Sequence, residues 1–232
     1  MQKHDLQMIR RAFFIIVLLC AFYLEAYSQG YFCDRKGAQL EYVRKEVKDG
    51  SFVWRIKGTV IDVTDKGDYK DCTTESFFTK QNGKPYYRSS VLQNVRIDNK
   101  NSEVCVDVAG VMASYIQARA GLTADCGSVF SALPADVQPG DVLESVFAQA
   151  KVGPLTYDVK ITDRKILRRE TLSVPAGTFD CIVLEEHKVE SGPGHNRDVI
   201  NYTWYAKGVG YVRHDTYIKG KLDTSEILYS FK

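Results

Sequence analysis

Little in this sequence advertises chemistry. Its 232 residues hold four histidines, and only His187, His195 and His214 fall beyond the N-terminal segment. No H-E-x-x-H occurs, so the usual helical zinc-hydrolase spacing is missing. No C-x-x-C occurs, which leaves zinc ribbons and thioredoxin-type redox motifs without support. There is neither a G-x-S-x-G elbow nor a P-loop, and Gly208-x-Gly210 is too short for a dinucleotide fingerprint. No motif implies a metal or a cofactor. Charge of either sign is not in excess, with 31 Lys and Arg against 29 Asp and Glu, a balance that does not fit nucleic-acid binding. Proline is scarce, at six, and 44 % of the residues are hydrophobic. Those two values argue for a folded chain rather than a disordered one.

What is present begins with an export signal. Lys3, Arg10 and Arg11 form a basic start, Ala12–Phe22 an apolar run, and Ala26-Tyr27-Ser28 a small-residue cleavage site. Residues 1–28 therefore read as a signal peptide, with Gln29 as the new N-terminus and 29–232 as one domain. The apolar run is shorter than the roughly 20 residues a membrane span needs. Leu19 stands where a lipoprotein site at Cys20 would want a small residue. The expected destination is the periplasm or cell envelope. Five cysteines follow the signal, Cys33, Cys72, Cys105, Cys126 and Cys181, an odd number for an oxidising compartment. Two bridges, one bridge or none are all compatible with that count.

The dominant stretch is Ser173–Asp215. Pro175 and Gly177 make a turn into the apolar run Cys181–Leu184, and Tyr202, Trp204 and Tyr205 lead into Gly208 and Gly210. Two long packed strands are expected there. Upstream, strands are expected over Gln39–Val47, Ser51–Val63 with a bulge or bend at Gly58, and Tyr69–Lys80. A hairpin at Asn82-Gly83 leads to Pro85–Ile97, and Glu103–Val108 alternates cleanly. Val111–Ala120 has helical spacing and a stop at Gly121. Gly127–Asp141 is irregular, and strands resume over Val142–Val152, Leu155–Leu167 and Thr216–Ser230. About eleven strands and one helix predict a mostly β (α+β) fold, a large antiparallel sheet curled into a half-barrel or barrel. The helix and the irregular segment are expected over its concave face.

Candidate chemistry is sparse. Glu185, Glu186, Asp198 and Asp215 neighbour the histidines in sequence, but strand alternation puts Glu185 and Glu186 on opposite sides. Solvated strand residues are the preferred reading over a metal or general-base site, and a structural Cys181 over a nucleophile. Asn201-Tyr202-Thr203 matches a glycosylation sequon inside a strand and is read as chance.

P-A-G-T-F-D-C-I-V-L and W-Y-A-K-G-V-G-Y-V-R resemble segments of a secreted family of uncharacterised function from Gram-negative envelopes. T-D-R-K-I-L-R-R-E-T-L, L-P-A-D-V-Q-P-G-D-V-L and G-A-Q-L-E-Y-V are similar to its other segments and stand in the same order. The resemblance implies a fold similar to the periplasmic lipoprotein carriers, a curved antiparallel sheet around a helical plug, and offers no catalytic residues. Because bridges are favoured in exported domains, at least one disulfide is expected among the five cysteines, and Cys105–Cys181 is the pair guessed. The functional expectation is a non-catalytic module binding a lipid, acyl chain or other amphipathic ligand. Trp54, Tyr202, Trp204 and Tyr211 are the expected wall residues. The alternatives are an envelope structural or interaction protein with a filled interior, or, further off, a hydrolase. An envelope protein partner fits either non-catalytic reading, and the sequence leaves the oligomeric state open.

Overall fold

The computed structural model describes residues 29–232, so the expected signal peptide lies outside the described residues. In chain order the elements are β1 (Gln39–Glu46), β2 (Phe52–Asp65), β3 (Tyr69–Thr79), β4 (Val91–Asp98), β5 (Val104–Asp107) and α1 (Val108–Ala120). Then come β6 (Phe130–Leu133), β7 (Val142–Leu143), β8 (Val146–Val152), β9 (Leu155–Val174), β10 (Gly177–Gly192), β11 (His195–Ala206), β12 (Gly210–Ile218) and β13 (Lys221–Phe231). They form one sheet in the order β6-β5-β4-β3-β2-β1-β13-β12-β11-β10-β9-β7, with β8 also pairing β9. Every described pairing is antiparallel, and the first and last strands lie side by side. So many right-twisted strands cannot stay flat, and the sheet curls into a nearly closed barrel. The expected β-rich, curled antiparallel architecture is what the chain adopts.

Local differences have physical causes. The β2–β3 register breaks between Val60 and Asp62, not at Gly58, where the bend was expected. Gly58 instead permits close packing, because a Cβ there would sit 3.3 Å from the Ser76 hydroxyl. The Asn82-Gly83 turn forms, but only Thr79 and Pro85 bridge across it, and β4 begins at Val91. Pro85 has no N–H to continue a ladder. The helix starts three residues early because Asp107 caps it, accepting from the Gly110 N–H at 3.1 Å. Gly121 ends it in the left-handed region, with φ of 73°.

The barrel does not close by a ladder. β6 and the β7–β8 end face each other across a seam, and α1 packs against β4, β6 and β8, covering that gap. Arg164 of β9 donates to the Glu144 carbonyl at 2.9 Å and to the Ala132 carbonyl of β6 at 3.2 Å. Arg169 donates to the Val137 carbonyl at 2.7 Å, and Asp125 bridges Lys151 of β8. The segment that precedes β1 supports the same base: Tyr31 and Cys33 are buried, and the Gly30 carbonyl accepts from the Gly208 N–H. A Cβ on residue 30 would stand 2.6 Å from the Ser102 carbonyl oxygen, so only glycine fits that passage.

All five described cysteines are free thiols, so the expected Cys105–Cys181 bridge is not formed. The two residues lie on β5 and β10, eight places apart in the sheet order. The Cys105 thiol contacts Glu103, while the Cys181 thiol contacts the Phe179 carbonyl. Burial pushes both thiols up to about 11.

Arg164 is 3 % exposed at its side chain and lies 3.7 Å from Glu186. Removing it leaves a buried carboxyl and two seam carbonyls without their cation. Arg164→Met is expected to destabilise the fold by about 3–5 kcal/mol, measured by urea unfolding. A loss below about 1 kcal/mol, the range of an exposed ion pair, would contradict the seam assignment.

Candidate functional site

The concave face is built on two buried charged residues that stand side by side on neighbouring strands. Register places Arg44 of β1 opposite Glu226 of β13, and opposite Trp54 of β2 on its other side. Glu226 is 5 % exposed and accepts from Trp54 Nε1 at 2.7 Å and from the Tyr211 hydroxyl at 3.0 Å. Arg44 donates through Nε to Thr224 Oγ1 and through Nη2 to Thr216 Oγ1, each at 3.0 Å. Its guanidinium also sits 4.9 Å from the Trp54 ring. Burial raises the Glu226 pKa, and Arg44 and the Trp54 and Tyr211 hydrogen bonds work against that rise. Tyr211 stacks on Tyr42 with centroids 4.1 Å apart.

Aromatic rings extend from this pair toward the rim. Trp54 meets Phe78 and Tyr86 edge to face at 5.7 and 5.4 Å, and Tyr86 meets Tyr87 at 5.0 Å. Tyr115 of α1 closes the cluster against Phe78 and Tyr87 at 5.8 and 5.9 Å. The enclosure raises the Tyr115 hydroxyl pKa, chiefly by burial and then by the negative charge of Glu226. Yet Tyr115 keeps 37 % of its surface accessible, and Tyr86 keeps 40 %. The outer rings of the cluster therefore stay open to solvent. At the rim, Phe52, Val53, Lys80, Gln81, Asn82 and Tyr86 surround an open hollow of about 500 Å³, within the size range of ligand pockets.

The β10–β12 side of the same face is polar. His214 is the cross-strand neighbour of Glu226 and holds Thr203 Oγ1 at 2.9 Å through Nδ1. Burial depresses its pKa to about 3, helped by the positive charges of Arg44, Lys188 and Arg197. The imidazole is therefore neutral at physiological pH. Lys188 pairs with Glu190 at 2.5 Å, and His195 approaches the same carboxylate at 3.1 Å. The Thr203–His214 contact does not make a nucleophile and base, because Thr203 is only 3 % exposed. No three His, Cys, Asp or Glu side chains among the described residues group to hold a metal ion. His187 illustrates why: its two ring nitrogens face different carboxylates, Asp198 at 2.7 Å and Asp163 at 3.7 Å.

The four expected wall residues divide between the two faces. Trp54 and Tyr211 converge on Glu226 as inner-wall groups. Strand alternation puts Tyr202 and Trp204 on the face opposite Thr203. Tyr202 packs edge to face on Tyr217 at 5.1 Å, and a hydrogen bond to Glu185 is the main cause raising its hydroxyl to about 12. Trp204 donates to Glu170 and lies under Arg213, 4.9 Å from its ring. Sequence reading missed Tyr42, Arg44, Tyr86, Tyr87, Tyr115 and Glu226. The one available signal was the charged Arg44 and Glu226 at the strand parity of the apolar Tyr42 and Leu228.

A neutral, depressed His214 has a definite stability signature. Above its unfolded value of about 6.5 neither state is protonated and it contributes no pH dependence. As pH falls from there toward 3 the unfolded chain gains a proton that the folded chain refuses, so stability is lost at about 1.4 kcal/mol per pH unit. His214→Gln is expected to flatten this part of the stability–pH curve, followed by urea midpoints between pH 7 and 4. An unchanged slope would place His214 in solvent instead.

A family model described as DUF3108-like matches residues 35–228. No curated protein matches the chain. Two solved structures are similar, each covering 88 % of this chain and 99 % of its own at 18 % identity. One is from Bacteroides fragilis, described as an exported protein with a YmcC-like fold, at a TM-score of 0.71. The other, described as a lipoprotein, is from Parabacteroides distasonis, at 0.72. At that identity the two structures speak for the fold, while the family match spans nearly all of the described barrel: the chain belongs to the DUF3108-like family.

Proposed function

We propose that this chain is an exported, non-catalytic binding module of the cell envelope that takes an amphipathic ligand into the barrel interior. The observation that carries the reading is the accessibility of Tyr86 and Tyr115 within an aromatic cluster that ends on buried charges. Such a wall offers stacking and apolar contact along one stretch and polar groups at its depth, which matches a ligand with a tail and a head. Binding an alkyl chain there draws on about 0.8 kcal/mol per buried CH₂, enough for useful affinity with no catalytic group. Export is supported by the N-terminal signal pattern and by the descriptions of the two similar structures. The non-catalytic reading is supported by the burial of Thr203, the one hydroxyl held against His214.

A second reading, an interaction protein of the envelope, is favoured by Val142 and Phe147, which are 74 and 60 % exposed on β7 and β8. Native mass spectrometry and organic extraction of protein purified from its own envelope separate the two. The binding-module reading expects an extractable mass that Trp54→Ala combined with Tyr115→Ala reduces at least tenfold. Ligand-free protein that cross-links to another envelope protein through a photoreactive group at position 147 would establish the second reading instead.

A further inference from the structure

We infer that one end of the barrel docks on an anionic phospholipid surface, through apolar side chains on its turns and the basic residues that stand between them. The inference goes beyond the ligand reading, because it concerns the outside of the barrel, and either can fail without the other.

Antiparallel register gathers six connections at this end. They are residues 46–52 between β1 and β2, 80–90 between β3 and β4, and 119–126 after α1. The others are 151–156 between β8 and β9, 191–197 between β10 and β11, and 218–223 between β12 and β13. The segment after α1 belongs with them because the Arg88 N–H donates to the Ala118 carbonyl at 2.8 Å and Asp125 bridges Lys151. Five of the six connections carry an exposed apolar side chain: Val47, Tyr86, Leu122, Leu155 and Ile218, each between 36 and 46 % exposed. The connections at the opposite end, residues 29–38, 65–69, 98–104, 134–141, 173–178 and 206–210, carry none of the large exposed hydrophobics. There Tyr31, Val137 and Val209 are buried instead. Apolar exposure is thus a property of one end, not of turns in general.

Charge divides in the same way. The six connections hold nine basic residues against four acidic ones, Glu46, Asp49, Asp125 and Asp223. The opposite connections hold five basic against seven acidic. The whole chain is close to balanced, so the excess is local. None of the nine stands within 4 Å of a carboxylate among the described residues. All but Arg197 are exposed, so their charge is free to meet an outside partner. Six of the nine are lysines, a residue that protein interfaces disfavour. Single apolar side chains set among lysines suit a bilayer boundary better: the apolar groups enter between head groups while the ammonium groups stay at the phosphates. The hollow bordered by Phe52, Lys80 and Tyr86 opens at this same end, which would put it against the lipid.

The test is flotation of residues 29–232, the whole described barrel, with two kinds of vesicle. One is phosphatidylcholine alone, and the other an equal mixture of phosphatidylcholine and phosphatidylglycerol. Binding to the mixed vesicles is expected to be at least tenfold tighter, and to weaken as salt screens the surface. Lys48→Glu combined with Lys84→Glu and Lys219→Glu is expected to weaken it at least tenfold. So is Val47→Ser combined with Leu122→Ser and Leu155→Ser, which removes no charge. Lys66→Glu with Lys100→Glu and Lys207→Glu makes the same charge change at the opposite end and is expected to leave binding within twofold. Near-UV circular dichroism of each variant confirms that the fold is retained. An equal loss in the opposite-end variant, or tight binding that neither set at this end alters, overturns the assignment of this end. Absence of binding to either vesicle overturns the membrane as partner, as does an acidic envelope protein that cross-links through position 84 while vesicles do not bind.

Discussion

Glu226 is the group on which the interior depends. A carboxylate 5 % exposed cannot be left without partners, since an isolated buried charge costs far more than a domain's whole stability margin. Its two hydrogen bonds fix Trp54 and Tyr211, and its cross-strand neighbour Arg44 in turn fixes the hydroxyls of Thr216 and Thr224. One buried pair thereby ties four strands, β1, β2, β12 and β13, at the point where the chain's first and last strands meet. Replacing such a pair by apolar residues is often neutral or stabilising, so stability alone does not explain its presence. A polar floor beneath an aromatic wall is the role the proposed function gives it.

Closure of the barrel follows a different logic from its middle. Neighbouring strands through the body are joined by ladders, and each ladder satisfies its own backbone. At the seam no ladder runs between β6 and β8, and long side chains take over: Arg164 and Arg169 reach carbonyls across the gap, and α1 covers it. Arginine suits this because its fork satisfies two carbonyls at once. The consequence for the site is that Tyr115, carried by the covering helix, enters the interior from the seam side and completes the ring cluster begun by Trp54.

Much of the fold could be read from the strands themselves. The alternation in Glu103–Val108, the hairpin over Lys219-Gly220-Lys221 and the helix stop at Gly121 are local signals, and the chain follows them. The site was harder to read because faces depend on register. In β12 Tyr211 pairs Tyr205 while Arg213 pairs Trp204, so Val212 is the extra residue. A one-residue irregularity of that kind moves every later side chain to the other face. It is why Tyr211 reaches Glu226 while Trp204, seven residues away, does not. Arg44 and Glu226 were missed for another reason: charged residues are rarely buried unless paired, and their pairing across 182 positions is set by the β1–β13 register alone. The expected Cys105–Cys181 bridge failed on the same point, since nothing local specifies which distant strands meet.

The central claim is the proposal that a ligand binds against the accessible aromatic wall of Trp54, Tyr86 and Tyr115, above the buried Arg44 and Glu226. A crystal structure of protein purified from its own envelope, at a resolution that shows ordered water, tests it most directly. The account predicts continuous ligand density against Trp54, Tyr86 and Tyr115, with Trp54 and Tyr211 holding Glu226. Tyr86 and Tyr115 packed down over Trp54, with no density against them, would contradict it.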